Sequence, residues 1–174
     1  NKVGRYFTDH IINSTVPASC VSSFENRETY HNNFRAWQSD KNKPPIYVGG
    51  QGVGGILLTA ATIQAAYKNY TNSTFRGFIV RDAKKDHGTG KLIEGHFDPG
   101  GCVVLVEDVV TSGKSVLAAA KVLHDETGRR PDLILCLLDR EEGGMDAIWG
   151  QGYECRAFLT MHELIEQLKK VVAV

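Results

Sequence analysis

Val103-Val104-Leu105-Val106-Glu107-Asp108-Val109-Val110-Thr111-Ser112-Gly113-Lys114-Ser115 is the stretch that decides the fold. Val103 to Val106 form a short apolar run suited to a buried strand. Two adjacent carboxylates, Glu107 and Asp108, stand at its carboxyl end, a Thr-Ser-Gly turn follows, and a helical pattern begins near Lys114. Open α/β sheets bind ligands in the crevice beyond their strand ends. A helix N-terminus with free N–H groups favours a phosphate. The acids can hold the vicinal hydroxyls of a sugar, directly or through a metal ion. The stretch therefore reads as a site for a ribose 5-phosphate.

Strand and helix alternate around it. Strands are expected at Ile46–Gly49, Phe75–Arg81, 102–107, Leu133–Leu138 and Glu154–Thr160. Helices are expected over Gly55–Lys68, where Ile56, Leu57, Ala60, Ile63, Ala66 and Tyr67 recur with helical spacing, and over 114–127, closed by Gly128. A last amphipathic helix fits Met161–Lys170. This order predicts a largely parallel sheet flanked by helices on both faces. Residues 82–101 are rich in Gly, Lys and Asp, show no apolar period, and read as a loop. Before residue 45 the pattern changes: Ser19–Gln38 fits a polar-faced helix carrying Val21, Phe24, Phe34 and Trp37, and Asp40–Pro45 a linker.

The composition narrows the class. The chain has 174 residues, 42% hydrophobic and 23% charged, with 20 basic and 20 acidic side chains. That balance suits a soluble globular protein and argues against a nucleic-acid or membrane-surface partner. No apolar stretch approaches the ~20 residues that span a bilayer, and no secretory signal is visible. Cys20, Cys102, Cys136 and Cys155 are widely spaced and form no CxxC pair, so buried thiols in a reducing, cytoplasmic setting are expected rather than zinc. His10, His31, His96, His124 and His162 form no close spaced pair, and Trp37 and Trp149 are expected to pack.

Two nucleotide motifs come close without fitting. Gly113-Lys114-Ser115 ends like a Walker A loop, but the first glycine of that motif would fall on Asp108. Gly50-Gln51-Gly52-Val53-Gly54-Gly55 satisfies the dinucleotide pattern, yet no acid lies about 20 residues on, within Asn69–Thr74. What those glycines provide is close backbone approach to a ligand.

The stretch 103–115 resembles the phosphoribosyl-diphosphate (PRPP) motif of type I phosphoribosyltransferases. Two further segments make the likeness closest to orotate phosphoribosyltransferases: Arg81-Asp82-Ala83-Lys84-Lys85-Asp86-His87-Gly88 with a later Ile93-Glu94-Gly95, and Asp139-Arg140 at the end of a strand. The start, Lys2-Val3-Gly4-Arg5-Tyr6-Phe7, is loosely similar to a Lys-Ser-Gly-Arg segment of that family. The likeness runs over about residues 46–165. It implies a Rossmann-like core over 46–174 with a mobile loop at 82–101, and a small N-terminal hood over 1–45.

Its implications for residues are specific. Glu107 and Asp108 would contact the ribose, with Mg²⁺ held mainly by PRPP beside them. Thr111, Ser112, Gly113 and Ser115 would cradle the 5-phosphate, and Gly52, Gly54 and Gly55 would meet the pyrophosphate. Arg81, Lys85 and His87 would stabilise the leaving group, while Arg140, Lys2 and Phe7 would hold orotate. A homodimer sharing loop 82–101 across its interface is implied. Asp82 stands where the family has Lys, and Lys114 where it has a small residue. A phosphoribosyltransferase for another base, a PRPP-binding regulator and a dinucleotide oxidoreductase are the competing readings.

Overall fold

The computed structural model describes residues 44–69, 74–81 and 91–172. Along the chain run β1 (Ile46–Gln51), α1 (Gly52–Asn69), β2 (Phe75–Val80), β3 (Ile93–Gly95), β4 (Cys102–Val110) and α2 (Lys114–Thr127). Then come β5 (Leu133–Asp139), α3 (Gly144–Gly150), β6 (Cys155–Thr160) and α4 (Met161–Val172). The strands form one sheet in the order β3-β2-β1-β4-β5-β6. Every neighbouring pair is parallel except β2 with β3. The expected largely parallel α/β sheet is thus present, with one antiparallel strand at its edge.

Alternation along each strand divides the core into two layers. Val48, Val104, Val106 and Leu135 face α1 and its Leu58 and Ala66. Val103, Leu105, Ile134 and Cys136 face α2, through Val116, Ala119, Ala120 and Leu123, and Ile148 of α3. Because both faces are covered, the central strands are near-continuous apolar runs. Gly128 ends α2 at φ 72°, its N–H donating to the His124 carbonyl at 2.8 Å. Only glycine takes that left-handed position without strain. A reciprocal cap opens α4: the Thr160 N–H donates to Glu163 Oε2 at 2.9 Å, and the Glu163 N–H to Thr160 Oγ1 at 3.2 Å.

Several boundaries differ from expectation. β4 continues through Glu107 and Asp108 to Val110, because β5 goes on pairing with it as far as Val110 opposite Asp139. α1 begins at Gly52 rather than Gly55. Within the expected loop 82–101, Ile93–Gly95 joins the sheet as β3. The short helix α3 is an addition. Trp149, expected to pack, is 57% exposed at its end. The segment 1–45, expected to form a hood, is described only at Pro44 and Pro45, so Lys2, Phe7, Cys20, Trp37 and the helix expected over 19–38 lie outside the described residues.

Candidate active site at the switch point

The chain leaves β1 toward β2 and β3 on one side, and β4 toward β5 and β6 on the other. The crevice between β1 and β4 is therefore the topological switch point. β1 pairs with β4 only as far as Gly49 opposite Leu105. From Val106 onward, β4 keeps β5 on one side and opens toward the β1–α1 turn on the other. Glu107 and Asp108 stand in this open-sided stretch, inside a strand rather than beyond its tip.

After β4 the chain turns through Thr111-Ser112-Gly113 into α2. Gly113 has φ 73°, and no side chain caps the helix. The helical ladder starts with the Leu117 N–H donating to the Gly113 carbonyl at 3.0 Å. The N–H groups of Lys114, Ser115 and Val116 precede that ladder, the arrangement that suits an anion. A small cleft of about 40 Å³ is lined by Glu107, Thr111, Ser112, Gly113 and Ser115. The turn is braced from outside, since a Cβ on Gly113 would lie 2.9 Å from the Gly144 carbonyl oxygen and one on Gly144 would overlap the Thr111 carbonyl.

The two acids divide between the two helix starts. Glu107 is 8% exposed and meets α2, where Ser115 Oγ donates to its Oε2 over a long 3.5 Å. Burial pushes the Glu107 carboxyl up to about 7 from 4.5; the Asp108 charge and a hydrogen bond with Asp108 add to the rise, and Ser115 opposes it. Asp108 packs over α1: a Cβ on Gly54 would overlap its carboxylate, and its Oδ1 accepts the Val109 N–H at 2.9 Å. The glycine turn folds tightly on itself. A Cβ on Gly50 would come within 2.6 Å of the Gly55 backbone, one on Gly55 would lie 3.1 Å from the Val106 carbonyl oxygen, and Gly52 has φ 65°. Glycine is required here for backbone contact.

Two of the predicted cations flank the crevice. Arg81 follows Val80, which pairs with Gln51, so it stands beside the glycine turn. Its N–H donates to the Leu92 carbonyl at 2.9 Å, and its guanidinium is ion-paired with Glu94 on β3. Arg140 borders the end of β4, where its N–H donates to the Val110 carbonyl at 2.9 Å. Its Nη2 lies 2.9 Å from Glu142 Oε1, both side chains being 48% exposed. Lys85 and His87 lie outside the described residues. The structure thus gathers Gly52, Gly54, Gly55, Glu107, Asp108, Thr111, Ser112, Gly113 and Ser115 around one crevice, with Arg81 and Arg140 at its borders. Glu94 and Glu142 are the partners of those arginines: Glu94 belongs to the Ile93-Glu94-Gly95 segment that carries the resemblance, without a role assigned from sequence, and Glu142 is the acid a surface arginine at 140 would pair with.

No protein-family model matches the chain. Among curated proteins it is 49% identical over 114 residues to orotate phosphoribosyltransferase of Pyrococcus furiosus, covering 66% of this chain and 61% of that protein. It is 32% identical over 161 residues to the Halobacterium salinarum orotate phosphoribosyltransferase, covering 92% of this chain and 81% of that protein. The chain spans about three fifths of the length of the three Pyrococcus relatives it matches. Among solved structures, the Mycobacterium tuberculosis orotate phosphoribosyltransferase in complex with PRPP superposes with a TM-score of 0.57 at 22% identity, over 94% of this chain and 92% of that one. That likeness concerns the fold alone. Taken with the crevice between β1 and β4, the sequence relatives show that the chain belongs to the orotate phosphoribosyltransferase family.

Proposed function

We propose that the protein transfers ribose 5-phosphate from PRPP to orotate, releasing pyrophosphate and forming orotidine 5-monophosphate, a step of de novo pyrimidine synthesis. The observation that carries this reading is the meeting of three features in one crevice: an uncapped helix N-terminus at Gly113, the acids Glu107 and Asp108, and the glycine turn 50–55. They suit, in that order, the phosphate, the ribose hydroxyls and the diphosphate of one substrate.

Breaking the bond from C1 to pyrophosphate leaves a ribose with oxocarbenium character and a more negative leaving group. Backbone N–H groups of 50–55 with Arg81, Lys85 and His87 meet that charge where it develops. Glu107 and Asp108 fix the ribose, which lowers the entropic cost of bringing C1 to the base. Orotate is already an anion, so Arg140, Lys2 and Phe7 orient it rather than activate it. The loop expected over 82–101, in its part before β3, would close over the bound substrate to limit access of water, which would otherwise capture the ribose.

Mg²⁺ fits the donor set as a substrate-borne ion. The described residues offer no cluster of three metal-ligating side chains, only Glu107 and Asp108. One or two carboxylates plus substrate phosphates is the coordination Mg²⁺ favours. When bound, it supplies neutralising charge to the diphosphate.

A homodimer sharing the Arg81–Leu92 segment accords with an apolar groove of about 580 Å³ between α1, β2 and β3, lined by Ile56, Ala60, Ile63, Tyr67, Ile79 and Gly95. Leu57 and Tyr67 beside it are 64% and 85% exposed. A second copy seated there would lie against the stem from which that segment springs. The buried thiols Cys136 and Cys155 accord with a reducing, cytoplasmic setting. No helix among the described residues is long and apolar enough to cross a membrane.

The test is loss of orotate absorbance in the presence of PRPP and Mg²⁺, alongside a panel of other bases. Turnover of orotate with pyrophosphate release supports the proposal. Turnover of another base alone replaces orotate in it. PRPP binding without turnover of any base would make the protein a PRPP sensor.

A further inference from the structure

We infer that Glu141 is a positioning residue that holds Arg140 at the base end of the crevice, an inference resting on the proposed role of Arg140 toward orotate. Among the described residues Glu141 is the one non-glycine with positive φ, at 60°. An L-residue there is strained, and such strain persists only where the surroundings enforce it. Two residues on, Gly143 takes φ 83° freely. A glycine at 141 would satisfy the turn without strain, so the turn itself does not require a side chain at this position.

The side chain has a definite use. Glu141 Oε2 accepts the His162 N–H at 2.7 Å, in the first turn of α4. First-turn N–H groups have no partner within their own helix. The Thr160 hydroxyl takes the Glu163 N–H, which leaves that of His162 to Glu141. On its backbone side, the Glu141 N–H donates to Asp139 Oδ1 at 2.9 Å. Glu141 therefore ties the loop after β5 to the start of α4.

Arg140 sits between two fixed points. Before it, its own N–H is bound to the Val110 carbonyl at the end of β4. After it, Glu141 is anchored to α4. The guanidinium itself is held only by an exposed ion pair with Glu142, an interaction of little strength. The direction in which Arg140 leaves the backbone is set by these two anchors, and the one on its far side is the side-chain contact that Glu141 makes 21 positions on, to His162.

The experiment compares Glu141→Gly, Glu141→Asn and Glu141→Gln with the parent and with Arg140→Ala, using the full chain, orotate and PRPP. Gly and Asn both accept the left-handed backbone but cannot reach His162, so neither threatens folding. Expected is a roughly tenfold rise in KM for orotate in both, with KM for PRPP within about twofold of the parent. Glu141→Gln keeps an oxygen acceptor and should restore the parental value. Unchanged orotate KM in Gly and Asn, while Arg140→Ala raises it, would overturn the inference and leave the role of Arg140 standing. Equal rises for both substrates would overturn it as well, as general loosening. If Arg140→Ala itself leaves orotate KM unaltered, Arg140 is not the base-facing cation and the inference falls with it.

Discussion

Replacing Glu107 by Gln should make the protein more stable above neutrality and not below pH 4.5. Glu107 is nearly inaccessible, beside a second carboxylate, and titrates near 7 in the folded state against 4.5 in an open chain. That difference of 2.5 multiplied by about 1.36 kcal/mol gives roughly 3 kcal/mol. The sign follows from proton binding. Between pH 4.5 and 7 the folded state holds a proton that the unfolded chain has released, so the Glu107 contribution falls as pH rises. It is fully lost above about 7. Gln has no charge to bury and lacks this slope. The difference in unfolding free energy, variant minus parent, should therefore grow by up to about 3 kcal/mol from pH 4.5 to 8, whatever its absolute offset. Urea titrations followed by circular dichroism at pH 4.5, 6, 7 and 8 measure it, with equal m-values as the check on two-state behaviour. A difference that stays flat over this range would refute the assignment of burial and Asp108 as the cause. The same variant should bind PRPP more weakly, an instance of stability being set aside for a site.

Other consequences of the crevice are as direct. Gly54→Ala places a methyl against the Asp108 carboxylate and should raise KM for PRPP at least about tenfold, with orotate little affected; equal KM values would separate Asp108 from ribose binding. Lys85→Ala should lower turnover at least about tenfold while PRPP binding stays measurable by calorimetry, and parental turnover would remove this residue from leaving-group stabilisation. Ile63→Asp, in the groove between α1 and β2, should shift the mass measured by light scattering from dimer to monomer; a dimer that persists would put the interface elsewhere.

How much of this was legible depends on the length over which each pattern acts. The apolar run 103–106 and the turn into α2 could be read because an unbroken apolar segment, two acids and a small-residue turn before a helical pattern follow one another there. The extent of β4 could not, since adjacent acids look like a strand end. What keeps Glu107 to Val110 extended is β5, a partner 29 positions away in register. Ile93–Gly95 was hidden for a different reason. Three residues show no period, and their strand character comes from pairing with Phe78, Ile79 and Val80. The helix Gly144-Met145-Asp146-Ala147-Ile148-Trp149-Gly150 begins and ends on glycine, so its own propensity argues against it. Gly144 is there because the Thr111 carbonyl leaves no room for a Cβ. Site residues followed the same rule. Glu107, Asp108 and Thr111 were visible as one contiguous motif, whereas Glu94 and Glu141 matter only through partners 13 and 21 positions away.

The glycine contacts at the fork between β1 and β4 also bear on how such a site could change its chemistry. Gly50 touches Gly55 and Gly55 closes on Val106, backbone against backbone, while Gly54 makes room for the Asp108 carboxylate, so most of the notch is set by main chain. Side-chain replacements outside Asp108 have little hold on its width. The rim around Arg140, in contrast, is built of exposed side chains on a loop held at a few points. A lineage can exchange that rim residue by residue while the notch, on the proposed reading, goes on gripping the same phosphorylated ribose. Substrate diversification should then be one-sided, with the acceptor base free to drift and the donor sugar locked in place.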